Sequence, residues 1–368
     1  MAQRAVGKLF RCQTTSSLRQ SIGSITQSRT YANNAIPTFP PTSSPELDQA
    51  LKRFREEVFI PFGLNTEQRR LMFRKKYAEK LEQEPVTVNI GDNDEPYQLR
   101  PMDPLSRPRK KGFRDVVALM ETKQDWQNLA PFIGGLRMSN RKTSIAHWEW
   151  IVRKAGNADA LGAILECAKQ AERTGLRLNH NGLVERIFFW LHLRALKAPE
   201  GQFKEPALSK ALSLAKQFAA LMEAPEHAPN TRPNQTIPDD PKRQPFVIGI
   251  LLELSAARAV NELGGKDETG DVHAYAERLM ANWEAGNFSR DITGFYKMDD
   301  MLQKTVPIYN AIKLALPVEG ITNDRALSGP LKRRMNELGQ LIASLKESAP
   351  QRVLRKPTLG YEQSQLLH

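Results

Sequence analysis

Residues 163–196 read AILECAKQAERTGLRLNHNGLVERIFFWLHLRAL. A 3.6-residue apolar period predicts a helix over 158–174. Gly175 follows, the residue type that helix ends in a left-handed conformation prefer. Leu176-Arg177-Leu178-Asn179 then reads as a short extended link, and a second helix is expected over 181–197. That second helix carries Ile187, Phe188, Phe189, Trp190 and Leu191 in succession, so it is apolar on most of its circumference. A helix of that kind is central to a fold or covered by a partner. Its rings are therefore read as core and not as base-stacking platforms, since cations interleave them only at Arg186 and Arg194.

Outward from this unit the same period recurs. Helices are expected at 113–122, 125–137, 143–155, 206–222, 245–263, 271–285, 299–316 and 329–347, with Gly156, Gly175, Gly264, Gly265, Gly286 and Gly320 near their ends. Successive hairpins start near 112, 143 and 180, spacings of 31 and 37 residues that fall in the range of helical-hairpin arrays. The fold class expected is mainly α: a stack of antiparallel helical hairpins, α-solenoid-like with irregular repeats, plus one small N-terminal β-hairpin and extended termini. The layout of 163–196 resembles a pentatricopeptide repeat. The resemblance covers one unit, and landmark positions are absent elsewhere, so that family's one-base-per-repeat reading code is not carried over.

Before this body come a Pro-rich tether over 32–45 and an N-terminal unit over 46–111. Ser44, Pro45 and Glu46 make a helix start, and the helix is expected to run to about Val58. A second helix is expected over 66–83. Val86–Ile90 and Tyr97–Leu99 read as two short strands around Asp92-Asn93-Asp94. The repeat body would span 112–222 and a second helical body 245–347. Between them, 223–244 reads as a disordered insert, with five prolines in 224–244, and 348–368 reads as a basic flexible tail.

The first 31 residues hold five basic side chains and no acid, which is the composition of an organelle import leader. A positive, weakly amphipathic segment is drawn inward by a negative membrane potential. Arg29-Thr30-Tyr31-Ala32 resembles a mitochondrial processing pattern with the cut after Tyr31, which places the protein in the matrix or peripheral to the inner membrane. Loss of the leader would take the formal charge from +12 to +7, a bias toward a polyanionic neighbour. No run approaches a membrane span. Of two cysteines, Cys12 leaves with the leader and Cys167 is read as a buried, inert thiol.

No catalytic constellation is legible. The six histidines are scattered without metal-ligand spacing, and no phosphate-cradling glycine loop is present. No enzyme, cofactor, metal or small-molecule substrate is expected. Cations form the clearer pattern. Arg107, Arg109, Lys110, Lys111 and Arg114 sit in a Pro-broken loop. On the expected helix 66–83, Arg69, Lys76 and Lys80 share one side, broadened by Arg70, Arg74 and Lys75. Arg137, Arg141 and Lys142 form a third cluster, either an RNA contact or a complement to a helix dipole. Lys332–Arg334 and the tail's Arg352, Arg355 and Lys356 complete the set. Cations spread over loops and ends suit a protein lying along structured RNA. A tether, hairpin, basic loop, helical stack and basic tail together are similar in build to the accessory proteins of mitochondrial ribosomes, those of fungi especially. The resemblance implies mitochondrial ribosomal RNA and neighbouring ribosomal proteins as partners. A pentatricopeptide-like messenger RNA factor, or a protein-only assembly factor of a respiratory complex, are the alternatives.

Overall fold

Ser44 in extended conformation and Pro45 behind it start the first helix, α1 (Pro45–Phe54), whose Leu47, Leu51 and Phe54 face the core. The helix runs on through a π turn (Arg55–Phe59) into a helical turn (Ile60–Gly63). The computed structural model describes residues 36–91, 94–196, 202–229, 240–288, 292 and 294–365, apart from the side chain of Lys110. The expected leader and the centre of the expected insert, 230–239, lie outside the described residues.

The single helix expected over 66–83 is corrected. Asn65 caps α2 (Thr66–Phe73) through a reciprocal pair of bonds with Gln68. Arg74 is extended (φ −93°, ψ 119°), a 3-10 turn covers Lys75–Tyr77, and α3 (Ala78–Gln83) follows. Met72 and Leu81 belong to one small core with Ile60, Leu64, Ile90, Tyr97 and Leu99. Residues nine apart on an unbroken helix face opposite ways. The break brings both onto the same side. The strands β1 (Thr87–Ile90) and β2 (Glu95–Gln98) form the expected antiparallel hairpin, with Val88 opposite Tyr97.

The body is built from α4 (Phe113–Ala118), α5 (Leu129–Met138), α6 (Ile145–Asn157), α7 (Leu161–Lys169), α8 (Asn181–Ala195), α9 (Ala207–Leu221), α10 (Pro245–Glu262), α11 (Asp271–Ala281), α12 (Phe295–Ala315) and α13 (Arg325–Glu347). Four-residue helical turns at 123–126, 171–174 and 319–322 link some of them. Contacts between alternate helices define two layers. α5 packs on α7 and α7 on α9, while α6 packs on α8, α8 on α10 and α10 on α12. Lys216 and Asp271, 2.6 Å apart, tie α9 to α11, which in turn contacts α13. The stack of helical hairpins is therefore the architecture, and its unequal links make the repeats irregular.

α8 is central, as its apolar circumference requires: Leu183, Ile187, Phe188 and Leu191 are fully buried. α10 is buried on nearly every side, because Phe246–Leu252 offers no charge with which to face water. Gly175 holds φ +81° at the end of the turn after α7, the left-handed state in which a Cβ is costly. Leu176 and Leu178 then point inward and Arg177 outward, so the extended link is real. The Leu178 N–H donates to Nδ1 of the buried His227 at 3.0 Å, which anchors the start of the expected insert. Gly156 is the penultimate residue of α6, near the helix end as expected, and the Trp190 ring occupies the space of a side chain there.

Both termini differ from expectation. The tether is extended but pinned. Pro37 is buried, and Arg55, Asn128 and Gln124 donate to the carbonyls of Pro37, Pro40 and Pro41 at 3.1, 3.2 and 2.8 Å. The expected flexible tail instead forms α14 (Gln351–Arg355) and α15 (Leu359–Gln365). Val353 and Tyr361 pack into a third cluster with Leu302, Val306, Leu341 and Leu345. Arg352, Arg355 and Lys356, the basis of the flexible reading, stay exposed along with Leu354, while Val353 between them turns in.

Candidate nucleic-acid interface

Five cations and no acid lie between residues 69 and 76. Arg69, Arg70, Arg74, Lys75 and Lys76 are all exposed, and none forms an ion pair with a described residue. Lys76 lies 4.7 Å from the centroid of the Tyr77 ring. The break at Arg74 spreads these side chains around the end of the N-terminal unit instead of lining them up. Glu67 and Glu79 bound the group on either side.

The basic loop is held, not open. Its carbonyls have no ladder partners, and guanidinium donors take them. Arg53 donates to the carbonyl of Ser106 at 2.7 Å, Arg107 Nε to that of Glu57 at 2.6 Å, and Arg141 to that of Pro108 at 2.7 Å. Arg107 also lies 5.1 Å over the Phe73 ring. Burial lowers the pKa of both Arg107 and Arg141, and the charge of Arg107 presses further on Arg141. Two half-buried guanidiniums thus sit near one another at the base of the loop, an arrangement that an anion would relieve. Arg109 and Lys111 point outward beside them. The backbone places Lys110 in a 3-10 turn between the two.

The remaining expected contacts divide. Arg114 is exposed and lies 5.7 Å over the half-buried ring of Trp150, leaving its outer side to solvent. Lys142 is exposed with no ion pair among the described residues. Arg137 is half-buried and packs against Gly175, so it braces the turn after α7. In α13, Arg334 is engaged with Glu337 at 2.8 Å and the Trp283 ring at 5.2 Å, while Lys332 and Arg333 remain exposed.

Reactive chemistry is not assembled. Cys167 is fully buried in α7, and burial pushes its thiol pKa far up. Among the described residues no three His, Cys, Asp or Glu side chains gather as metal ligands. No described helix is long and apolar enough to cross a membrane. One buried pair escaped sequence reasoning altogether. His192 of α8 and Glu253 of α10 meet at 2.5 Å with neither exposed. They are 61 residues apart, and each is flanked on both sides by leucines, so only the packing of the layers reveals them.

Fold and surface together define a helical-repeat scaffold: a two-layer stack that presents exposed cations around its N-terminal unit and along its C-terminal helices, with no catalytic centre among its described residues. The chain belongs to the mitochondrial ribosomal protein mS27 family, which matches residues 24–366. It is also similar to the small ribosomal subunit protein mS27 of Neurospora crassa, with 30% identity over 269 residues, 69% of this chain and 67% of the relative. That family is one of ribosomal proteins and not of enzymes.

Proposed function

We propose that this protein is a structural subunit of the small subunit of the mitochondrial ribosome, acting in mitochondrial translation within the matrix and bound there to ribosomal RNA and neighbouring proteins. Its family membership supports the ribosomal part of this reading, and the relative's name supports the small subunit. The observation that carries RNA association is the unpaired group Arg69, Arg70, Arg74, Lys75 and Lys76, exposed beside Arg109 and Lys111 of the anchored loop. Such cations contribute sequence-independent affinity by releasing counterions from a phosphate backbone. Arg107 and Arg141 shape the loop and add positive potential beneath it; Arg114 and Lys142 extend the contact. Lys110 is assigned to the same contact by its position in the chain.

Import would remove residues 1–31. A messenger-specific pentatricopeptide factor is disfavoured because the links between hairpins vary in length, which suits a scaffold better than a regular reading frame. A protein-only respiratory assembly factor leaves the ribosomal family membership without a role. Sedimentation of mitochondrial lysate separates the three. The expected result is co-migration with the small ribosomal subunit in high and low magnesium, lost on ribonuclease treatment. A nuclease-indifferent membrane complex, or a light messenger particle, would remove the reading.

A further inference from the structure

The basic end is not the only shaped surface. An open groove of about 1330 Å³ crosses the outer faces of α5, α7 and α9, bounded at one end by residues 36–40, Gly91 and Glu95. It exceeds the roughly 300–1,000 Å³ of small-molecule pockets. Its wall is set by helical spacing: Gly162, Ala163 and Glu166 on α7, and Ser209, Ser213 and Gln217 on α9. We infer that this groove docks an extended, weakly acidic polypeptide segment of a neighbouring protein.

Three observations carry this. First, the lining mixes both signs but leans positive, with four cations against three acids. Lys123, Arg173, Arg194 and Lys210 face Glu95, Asp159 and Glu166. The acids are already satisfied: Asp159 by Lys123 at 3.5 Å and Arg194 at 2.9 Å, Glu166 by Lys169 at 2.7 Å, and Glu95 by Arg55. The surplus left is positive, with Lys210 in no ion pair among the described residues, which suits a weakly acidic segment. Second, no exposed aromatic ring lines the groove; its one aromatic, Trp126, is buried. Single-stranded nucleic acid relies on such rings as stacking platforms. Third, the molecule already grips an extended chain on the adjoining wall, where Arg55, Gln124 and Asn128 donate to carbonyls of the 37–41 strap. Gln127, Gln170, Gln217, Ser209 and Ser213 offer the same chemistry along the open part. The buried indole N–H of Trp126 also has no hydrogen-bond partner among the described residues.

Gly162 supplies the test, because a Cβ there meets nothing within 4 Å. The proposal rests on the ribosomal reading, so the wild-type chain is run in parallel. Gly162→Trp should keep the wild-type thermal midpoint yet enter the small subunit at least tenfold less efficiently, whereas Gly162→Ala should enter normally. Normal entry of the Trp variant would overturn the proposal. In assembled subunits, p-benzoylphenylalanine placed at Ser213 should crosslink, insensitively to ribonuclease, to one contiguous stretch of a single other ribosomal protein. An adduct with RNA, with this chain's own N-terminal segment, or none at all would overturn it while leaving the ribosomal reading standing. Absence of the wild-type chain from the subunit would instead overturn both.

Discussion

His192 and Glu253 put two titratable side chains where water does not reach. Burial raises the pKa of Glu253, and the neighbouring His192 pulls it back part of the way. Asn310 also supports the Glu253 carboxylate, whereas Nε2 of His192 has no hydrogen-bond partner among the described residues and borders a cavity of about 160 Å³ shared with Asn310 and Gln363. The pair is therefore expected to fix how α8 sits on α10 more than to stabilise the fold. Removing one member leaves an uncompensated polar group in the core. Glu253→Leu alone is expected to destabilise the protein by about 3–5 kcal/mol, while His192→Leu with Glu253→Leu should recover most of that loss. Urea midpoints of the two variants read the difference. A double variant as unstable as the single one would show that the pair contributes more than specificity.

The N-terminal strap shows how an element without secondary structure is held. Asp125 is fully buried and accepts from the N–H and Oγ of Ser43, both at 2.8 Å, and from the N–H of Thr122 at 2.8 Å. Burial by itself would raise its pKa. The hydrogen bonds from Ser43 and Thr122 outweigh burial and bring it down to about 2. A carboxylate depressed in the folded state adds stability above its unfolded pKa, and that stability disappears as pH falls through the folded value. The contribution is thus complete above about pH 4 and fades toward pH 2. Asp125→Ala is expected to cost about 2 kcal/mol at neutral pH and to abolish this part of the acid transition. Denaturant melts between pH 2 and 6 measure it, and limited proteolysis at 36–44 reports release of the strap. Sequence reading placed Ser44 at the helix start but missed Ser43 and Asp125, because the two lie 82 residues apart.

At the scale of the whole molecule, charge and apolar surface are segregated. The two layers bury the apolar faces of their helices, and unpaired cations surround α2, α3 and the anchored loop, with a second group on α13 and α14. Each cation that meets a phosphate adds about 0.7–0.9 to the slope of log affinity against log salt. Changing Arg69, Arg70, Arg74 and Lys76 together to Gln should lower that slope by about three for a small-subunit ribosomal RNA fragment. Arg107→Gln with Arg141→Gln should instead loosen the loop and lower stability, since these side chains hold backbone carbonyls. Equal slopes for the quadruple variant and the wild type would take α2 and its turn out of the RNA contact.

Local patterns decided much of this protein without help from the fold. Apolar periodicity, Gly175 and the alternation of 176–179 were enough to call for stacked helical hairpins, and the unbroken run of 187–191 was enough to place α8 inside. These signals are local because a helix or an extended link is selected by neighbours within a few residues. Tertiary packing alone decided the break at Arg74, the inward turn of Val353 and Tyr361, and the fastening of the 36–44 strap. It also decided which arginines face water and which hold carbonyls. Each of these depends on a partner tens of residues away, and the burial or hydrogen bond that partner offers overrides what charge and proline content suggest locally.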